Sequence, residues 1–169
     1  ASFDFATATI TWSPDSTQLL VVAKSGAARL YRTGRLDNFQ DVSASYRLTL
    51  KDWLEETATR ERQKLAGFSQ PIIDIATTST KIIAFSPDET KILYEATASA
   101  TIPTVIDPPL LGVNATPETR TIEPEKLYVY DSHEDKNFFV LNKKEVFPGG
   151  ISWHPTNKHL ILTLQGKID

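Results

Sequence analysis

Three histidines, His133, His154 and His159, are the first places to look for metal or acid–base chemistry. A catalytic zinc helix needs two imidazoles one turn apart, as in H-x-x-x-H or H-E-x-x-H, so that both reach one cation. Neither spacing occurs. His133 sits in the polar run from Ser132 to Asn137, His154 precedes a proline, and His159 heads an apolar run. Asp131, Glu134 and Asp135 crowd around His133, and a solvated hairpin turn explains that cluster. Acyl transfer would call for a serine on a G-x-S-x-G elbow, which is absent. Gly149-Gly150 precedes an apolar run and reads as a tight entry to a strand, not a phosphate cradle. The chain has no cysteine, which excludes disulfides and thiolate metal sites. The expectation is therefore no catalytic residue, no metal and no cofactor, with one route left open: carboxylates brought together from separate loops.

The elements that would position any site follow from composition and repetition. The 169 residues suffice for a real core, and 40% hydrophobic with 23% charged residues is ordinary for a globular domain. A net charge of −3 supplies no basic field for nucleic acid or anionic lipid. No run of about 18 apolar residues suggests a membrane span, and no signal peptide is visible. Methionine is absent even from position 1, so the chain reads as a fragment or a processed product.

Three segments align: ITWSPDSTQLLVVA from Ile10, IAFSPDETKILYEA from Ile83 and ISWHPTNKHLILTL from Ile151. Pro14, Pro87 and Pro155 stand 73 and 68 residues apart. Each segment reads as a strand, a tight turn and a second strand. Trp12, Phe85 and Trp153 end the first strand and are expected to bury their rings. The prolines, with φ fixed near −65°, suit the first central position of a type I turn. Asp15 and Asp88 can accept from backbone amides just beyond it. The runs that follow are rich in Leu, Ile, Val and Tyr, as strands are.

The Phe/Trp-Ser-Pro-Asp turn followed by such a strand resembles the WD40-like repeat of TolB-type propellers. Those repeats often close on a strand of the kind seen in KLYVYD at Lys126–Asp131, with ARLYRTG at Ala28–Gly34 in the matching place. The departures are specific. Ser16 and Glu89 replace the glycine often found after Ser-Pro-Asp, the third copy lacks the serine and the aspartate, and no Trp-Asp dipeptide or Gly-His pair occurs. The resemblance implies an all-β fold, a partial β-propeller of about three four-stranded blades with one inserted amphipathic helix. The helix TLKDWLEETATRERQKLAG, together with residues 76–103 and KLYVYDSHEDKNFF, also resembles the propeller region of bacterial PEGA-domain envelope proteins. That likeness implies an extracytoplasmic setting and a membrane anchor in the full-length protein.

Blade one is expected at about 8–76, with strands near Ala8–Trp12, Gln18–Lys24 and Ala27–Thr33, a hairpin at Ser25-Gly26 and a returning strand at Pro71–Ala76. Its helix, 49–66, is framed by a capping box at Thr49 and Asp52 and a stop at Gly67. Leu50, Trp53, Leu54, Ala58 and Leu65 share one face, and Glu56 and Arg60 pair on the other. Blade two is expected at about 81–141, with strands at Lys81–Phe85, Lys91–Thr97, Lys126–Asp131 and Phe138–Leu141. A Pro-rich insertion at 99–124 holds five of the ten prolines and reads as a solvated, partly mobile surface loop. It carries a weak glycosylation sequon at Asn114–Thr116. Blade three, 149–169, has a hairpin turn at Gly166-Lys167 and ends in mid-blade.

The residues singled out, Trp12, Pro14, Asp15, Phe85, Pro87, Asp88, Trp153 and Pro155, are structural repeat positions. The function they support is a non-catalytic interaction module that binds protein or cell-wall glycan through its loops. The alternative is an accessory propeller of a prolyl-oligopeptidase-like hydrolase. Nucleic acid and membrane are not expected partners of this segment. Open blade edges would favour self-association.

Overall fold

The computed structural model describes residues 4–110 and 116–164. Asn114 of the sequon and the Gly166-Lys167 turn lie outside the described residues. The chain is mostly β, with several antiparallel sheets and two α-helices, and falls into two compact units, Ala1–Gln63 and Lys64–Asp169. Among the described residues no sheet closes on itself.

In the first unit, β1 (Thr9–Trp12), β2 (Gln18–Val22), β3 (Ala28–Arg32) and β4 (Arg35–Asp41) form an antiparallel meander in chain order. Strand β4 was not foreseen. All seven of its residues are exposed, so backbone pairing to β3 holds it in place and no apolar alternation marks it. The Ser25-Gly26 hairpin is as expected, with Gly26 left-handed at φ 86°. One face of the sheet, with Leu20 and Ala28 fully buried, packs with Val42 against Tyr46, Leu50 and Trp53. The last three open helix α1 (Tyr46–Leu65).

Two expectations about α1 are corrected. The helix starts a turn early, with the Ser45 carbonyl accepting from the Leu48 and Thr49 amides, so Thr49 and Asp52 lie inside it and form no capping box. Leu54 is 70% exposed and Ala58 is exposed as well, so the buried stripe ends at Trp53 and resumes only at Leu65. The Glu56–Arg60 pair does form, at 2.6 Å, and Arg60 also donates to the Pro14 carbonyl at 2.9 Å. Because Ala58 is exposed, proline there acts through the backbone alone. Ala58→Pro is expected to cost about 3 kcal/mol or more, seen as lost helical circular dichroism and a lower denaturation midpoint; an unchanged midpoint would contradict a continuous α1.

In the second unit, the expected returning strand at Pro71–Ala76 is a helix, α2 (Gln70–Thr78). Its isoleucines suggested a strand, but Pro71 stands in the first turn after Ser69, where proline favours a helix. Ile72 and Ala76 are buried at i, i+4. Strands β5 (Thr80–Phe85) and β6 (Lys91–Ala96) follow, then a small hairpin of β7 (Ala100–Thr101) and β8 (Thr121–Ile122), then β9 (Lys126–Asp131) and β10 (Lys136–Asn142). The order β5-β6-β9-β10 is again an antiparallel meander, with β7–β8 inserted. One face, carrying Ile92, Tyr94, Tyr128 and Tyr130, is covered by Leu65, Phe68, Ile72 and Ala76. On the other face, Leu127 and Leu141 pack with Val146 and, at the margin, Ile83 and Ile151. Val146 and Ile151 belong to β11 (Val146–Trp153), which pairs with β12 (Leu160–Leu164).

The base of the insertion is part of the core, contrary to the expectation of a solvated loop. Ile122 is fully buried and Ile102 nearly so. Two side chains pin it, Asn137 on β10 and Asp135 in the turn between β9 and β10. Asn137 bonds the Thr119 carbonyl through its amide and the Tyr94 hydroxyl through its oxygen. The Asp135 carboxylate accepts from the Val105 and Ile106 amides at 2.8 and 3.0 Å, from the Tyr130 hydroxyl at 2.9 Å and from Arg120 at 3.3 Å. Arg120 also reaches the Pro103 carbonyl. The acidic group around His133 is likewise not a solvated turn. Asp131 and Asp135 are buried; Asp131 accepts from the His133 and Glu134 amides and pairs with Lys91.

Candidate functional site

The three proline turns are built alike. Ser16, Glu89 and Asn157 each donate a backbone N–H to the carbonyl three residues earlier and adopt left-handed φ of 59°, 59° and 60°. In the first turn the Ser13 hydroxyl donates to Asp15 at 2.6 Å and accepts from the Gln18 amide at 2.8 Å, while Asp15 accepts from the Thr17 amide. Ser86, Asp88, Thr90 and Lys91 repeat those bonds in the second turn. In the third the side-chain bonds differ: His154 Nδ1 receives the Thr156 amide, two residues on, at 3.2 Å beside the Thr156 hydroxyl at 2.8 Å. The bonds from Ser13 and then Thr17 pull the Asp15 carboxyl down to about 2, and those from Ser86 and Thr90 lower Asp88 despite some desolvation. Both carboxylates serve the turns as acceptors, which leaves them ill suited to act as a general base.

The aromatic positions are less alike. Phe85 is half-buried against the core and Trp153 half-buried, its indole N–H enclosed without a partner among the described residues. Trp12 ends β1 but is 57% exposed, which corrects the expectation of a buried ring. It shares with Ile10 and Phe39 the face of sheet β1–β4 opposite to the helix-covered one. Pro14, Pro87 and Pro155 lie in the turns themselves. Within the second unit the second and third turns are brought into contact by the Asp88 amide donating to Asn157 Oδ1 at 3.3 Å. Each of the eight repeat residues lies in or beside its own hairpin turn.

A cleft of about 750 Å³ lies elsewhere in the second unit, at the end of sheet β5-β6-β9-β10 away from the Ser86-Pro87-Asp88 turn. Its aliphatic floor comes from Ile83, Leu127, Val146 and Ile151. Its wall on the β11 side is a wide bulge. Val146 pairs with Leu164 and Ile151 with Leu162, so residues 147–150 stand opposite the single residue Thr163. Bulges of this kind re-aim side chains beside binding sites. Gly149 is left-handed at φ 74°. Gly150 is held so close that a Cβ would sit 2.9 Å from the Phe147 and Thr163 carbonyl oxygens. Phe147, at the mouth, is 49% exposed.

Charge collects at the rim. Lys81, Lys126, Lys143 and Lys144 line the cleft against Glu95 and Glu125. Lys143 pairs with Glu95 at 2.7 Å and Lys126 with Glu123 at 2.6 Å; these bonds raise both ammonium groups above the ordinary lysine value. Lys81 and Lys144 make no ion pair among the described residues. None of these residues was singled out in the sequence. They come from four separated segments, and the available signals were the adjacent Lys143-Lys144 and the Phe-Pro-Gly-Gly run that follows. Among the described residues no group of three or more His, Cys, Asp or Glu side chains could hold a metal ion. No protein-family model matches the chain, and no curated protein or solved structure matches it either.

Proposed function

We propose that the chain is a non-catalytic interaction module, a partial β-propeller whose second unit takes an extended segment of a partner protein in the Phe147–Gly150 cleft. Two antiparallel four-stranded meanders, each with the same proline turn between its first two strands, support the propeller reading. Strand β11, which opens the next sheet, shares a hydrophobic cluster with β5 through Ile83 and Ile151. The TolB-type and PEGA-protein resemblance supports a setting in the bacterial cell envelope.

The observation that carries the binding proposal is the cleft's amphipathic lining beside a sheet edge. Among the described residues strand β5 pairs with β6 alone, which leaves an edge for an added strand, and Lys81, Ile82 and Ile83 on it line the cleft. Strand addition supplies main-chain bonds, with pockets reading alternate side chains. Sugar recognition favours aromatic platforms and rows of polar groups, whereas this floor is aliphatic and Phe147 is its one aromatic residue. The test is nuclear magnetic resonance titration of the labelled chain with extended hexapeptides and, separately, with cell-wall glycan oligomers. Peptides should shift the amides of residues 81–83, 126–127 and 146–151. Shifts there from glycan alone, or peptide shifts confined to other regions, would overturn the proposal.

A further inference from the structure

We infer that the first unit carries a separate binding site, for a phosphate-type oxyanion with two negative charges, in the hollow beside Arg32 and Arg35; it is independent of the peptide cleft. Its residues share one face of sheet β1–β4. The register sets Gln18 opposite Arg32 and Arg32 opposite Arg35, so the three form a row across β2, β3 and β4. Leu20, Leu30 and Gln40 form the next row on that face. The opening turns of α1 pack on Leu20 and Leu30. The outer row lies outside that cluster and, with Leu30, Asn38 and Gln40, lines a hollow of about 250 Å³.

Arg32 and Arg35 flank the Thr33-Gly34 turn as a cross-strand pair. Like charges directly opposite one another are destabilising, so hairpin stability alone does not account for them. Among the described residues neither guanidinium makes an ion pair or a hydrogen bond, and the side-chain amides of Gln18, Asn38 and Gln40 make none either. The carboxylates on the adjoining elements do not neutralise the pair. Asp15 is engaged by Ser13 and Thr17, Asp41 by Ser43 and Glu56 by Arg60, while Asp37 on β4 pairs with neither arginine. Each guanidinium offers a planar fork of N–H donors that matches an oxyanion bidentately. Two forks balance a dianion, and the three amides can donate to its remaining oxygens. A carboxylate would match one of the two positive charges, and an uncharged sugar would leave the repulsion unrelieved.

Nuclear magnetic resonance titration of the whole labelled chain with inorganic phosphate, glycerol phosphate and acetate, at constant ionic strength, tests this. Phosphate should shift the amides of residues 18, 30–35 and 38–40, and should bind about tenfold or more tightly than acetate. Arg32→Gln and Arg35→Gln should each weaken phosphate about tenfold, the scale of one lost charge-assisted bond. Both positions are exposed. Without phosphate, the urea midpoint of Arg35→Gln should equal or exceed that of the natural chain, because the cross-strand repulsion is relieved; this separates lost binding from lost folding. Glycerol phosphate binding as well as inorganic phosphate would assign the site to a phosphomonoester, and inorganic phosphate binding alone would assign it to the free ion. Acetate binding as tightly as phosphate, phosphate shifts confined to other regions, or full phosphate affinity in both variants would overturn the site.

Discussion

Asp135→Ala is expected to lower the free energy of unfolding by about 3–5 kcal/mol, the scale for removing one partner from a buried charged pair. Asp135 is only 2% exposed, and its carboxylate satisfies two backbone amides, the Tyr130 hydroxyl and Arg120. Truncation would strand the two amides and the Tyr130 hydroxyl at once, while Arg120 keeps the Pro103 carbonyl. Asp135→Asn should be milder, since one oxygen can still accept while the new NH₂ confronts a donor. Urea denaturation at neutral pH reads the global loss. Hydrogen exchange should show the amides of 100–106 and 119–122 released first, because these are the segments the carboxylate ties down.

The same residue sets a pH dependence whose sign is definite. Burial disfavours its charged form, but the Ile106 and Val105 amides, Tyr130 and Arg120 together outweigh that cost and hold its carboxyl below the ordinary aspartate value. The folded state therefore binds fewer protons than the unfolded chain in the window between the two values. The stabilisation is complete above the unfolded value of about 3.9 and is lost as pH falls through the folded one. The stability gap between the natural chain and Asp135→Ala should accordingly narrow below about pH 4. A gap that stays constant down to pH 2 would mean that the carboxylate's charge contributes nothing. Asp15, Asp41 and Asp88 are shifted the same way, so the natural chain should lose further stability in acid.

Gly150→Ala is expected to cost about 1–3 kcal/mol, the usual range for overpacking, or a melting point lower by roughly 5 °C for a chain of this size. The added methyl would meet two backbone carbonyls at 2.9 Å and Thr163 Cβ at 3.1 Å, and neither carbonyl can rotate away. The bulge must open, and the cleft wall moves with it, so peptide binding should fall together with stability. Gly149→Ala separates space from conformation. Nothing lies within 4 Å of its Cβ, but its φ of 74° disfavours a side chain by about 1–2 kcal/mol. Gly34→Ala, with open space and no such φ, is the control and should change little. An unaltered melting point for Gly150→Ala would contradict the bulge.

The strands flanking the proline turns were legible because each combines a β-rich apolar run with a residue that fixes the turn. Strand β4 was not, since Leu36 and Phe39 fall out of step with a two-residue period, and its pairing to β3 and the contacts of Phe39 with Tyr31 and Arg29 define it. Helix α2 was misread because Ile72, Ile73 and Ile75 satisfy a strand as readily as a helix, and only Pro71 and the Ile72–Ala76 spacing favour the latter. In the insertion, proline content spoke for a loop, while the residues that anchor it, Asp135 and Asn137, lie beyond it in the chain. The cleft was invisible for the same reason. Lys81, Lys126 and Lys143-Lys144 become neighbours only once β5, β9 and β10 share a sheet.

The three proline turns share a backbone more than they share letters. Position one carries a side-chain acceptor in each, but Ser13 and Ser86 receive the amide five residues on, whereas His154 Nδ1 receives that of Thr156, two residues on. Position three must bond that group, by Asp15, Asp88 or Thr156. Position four must tolerate a left-handed backbone, and serine, glutamate and asparagine all do so here. Two copies can then agree at proline alone and still describe one backbone. Residue identity between the three turns consequently understates their likeness, which the shared backbone hydrogen bond and the left-handed fourth position carry instead.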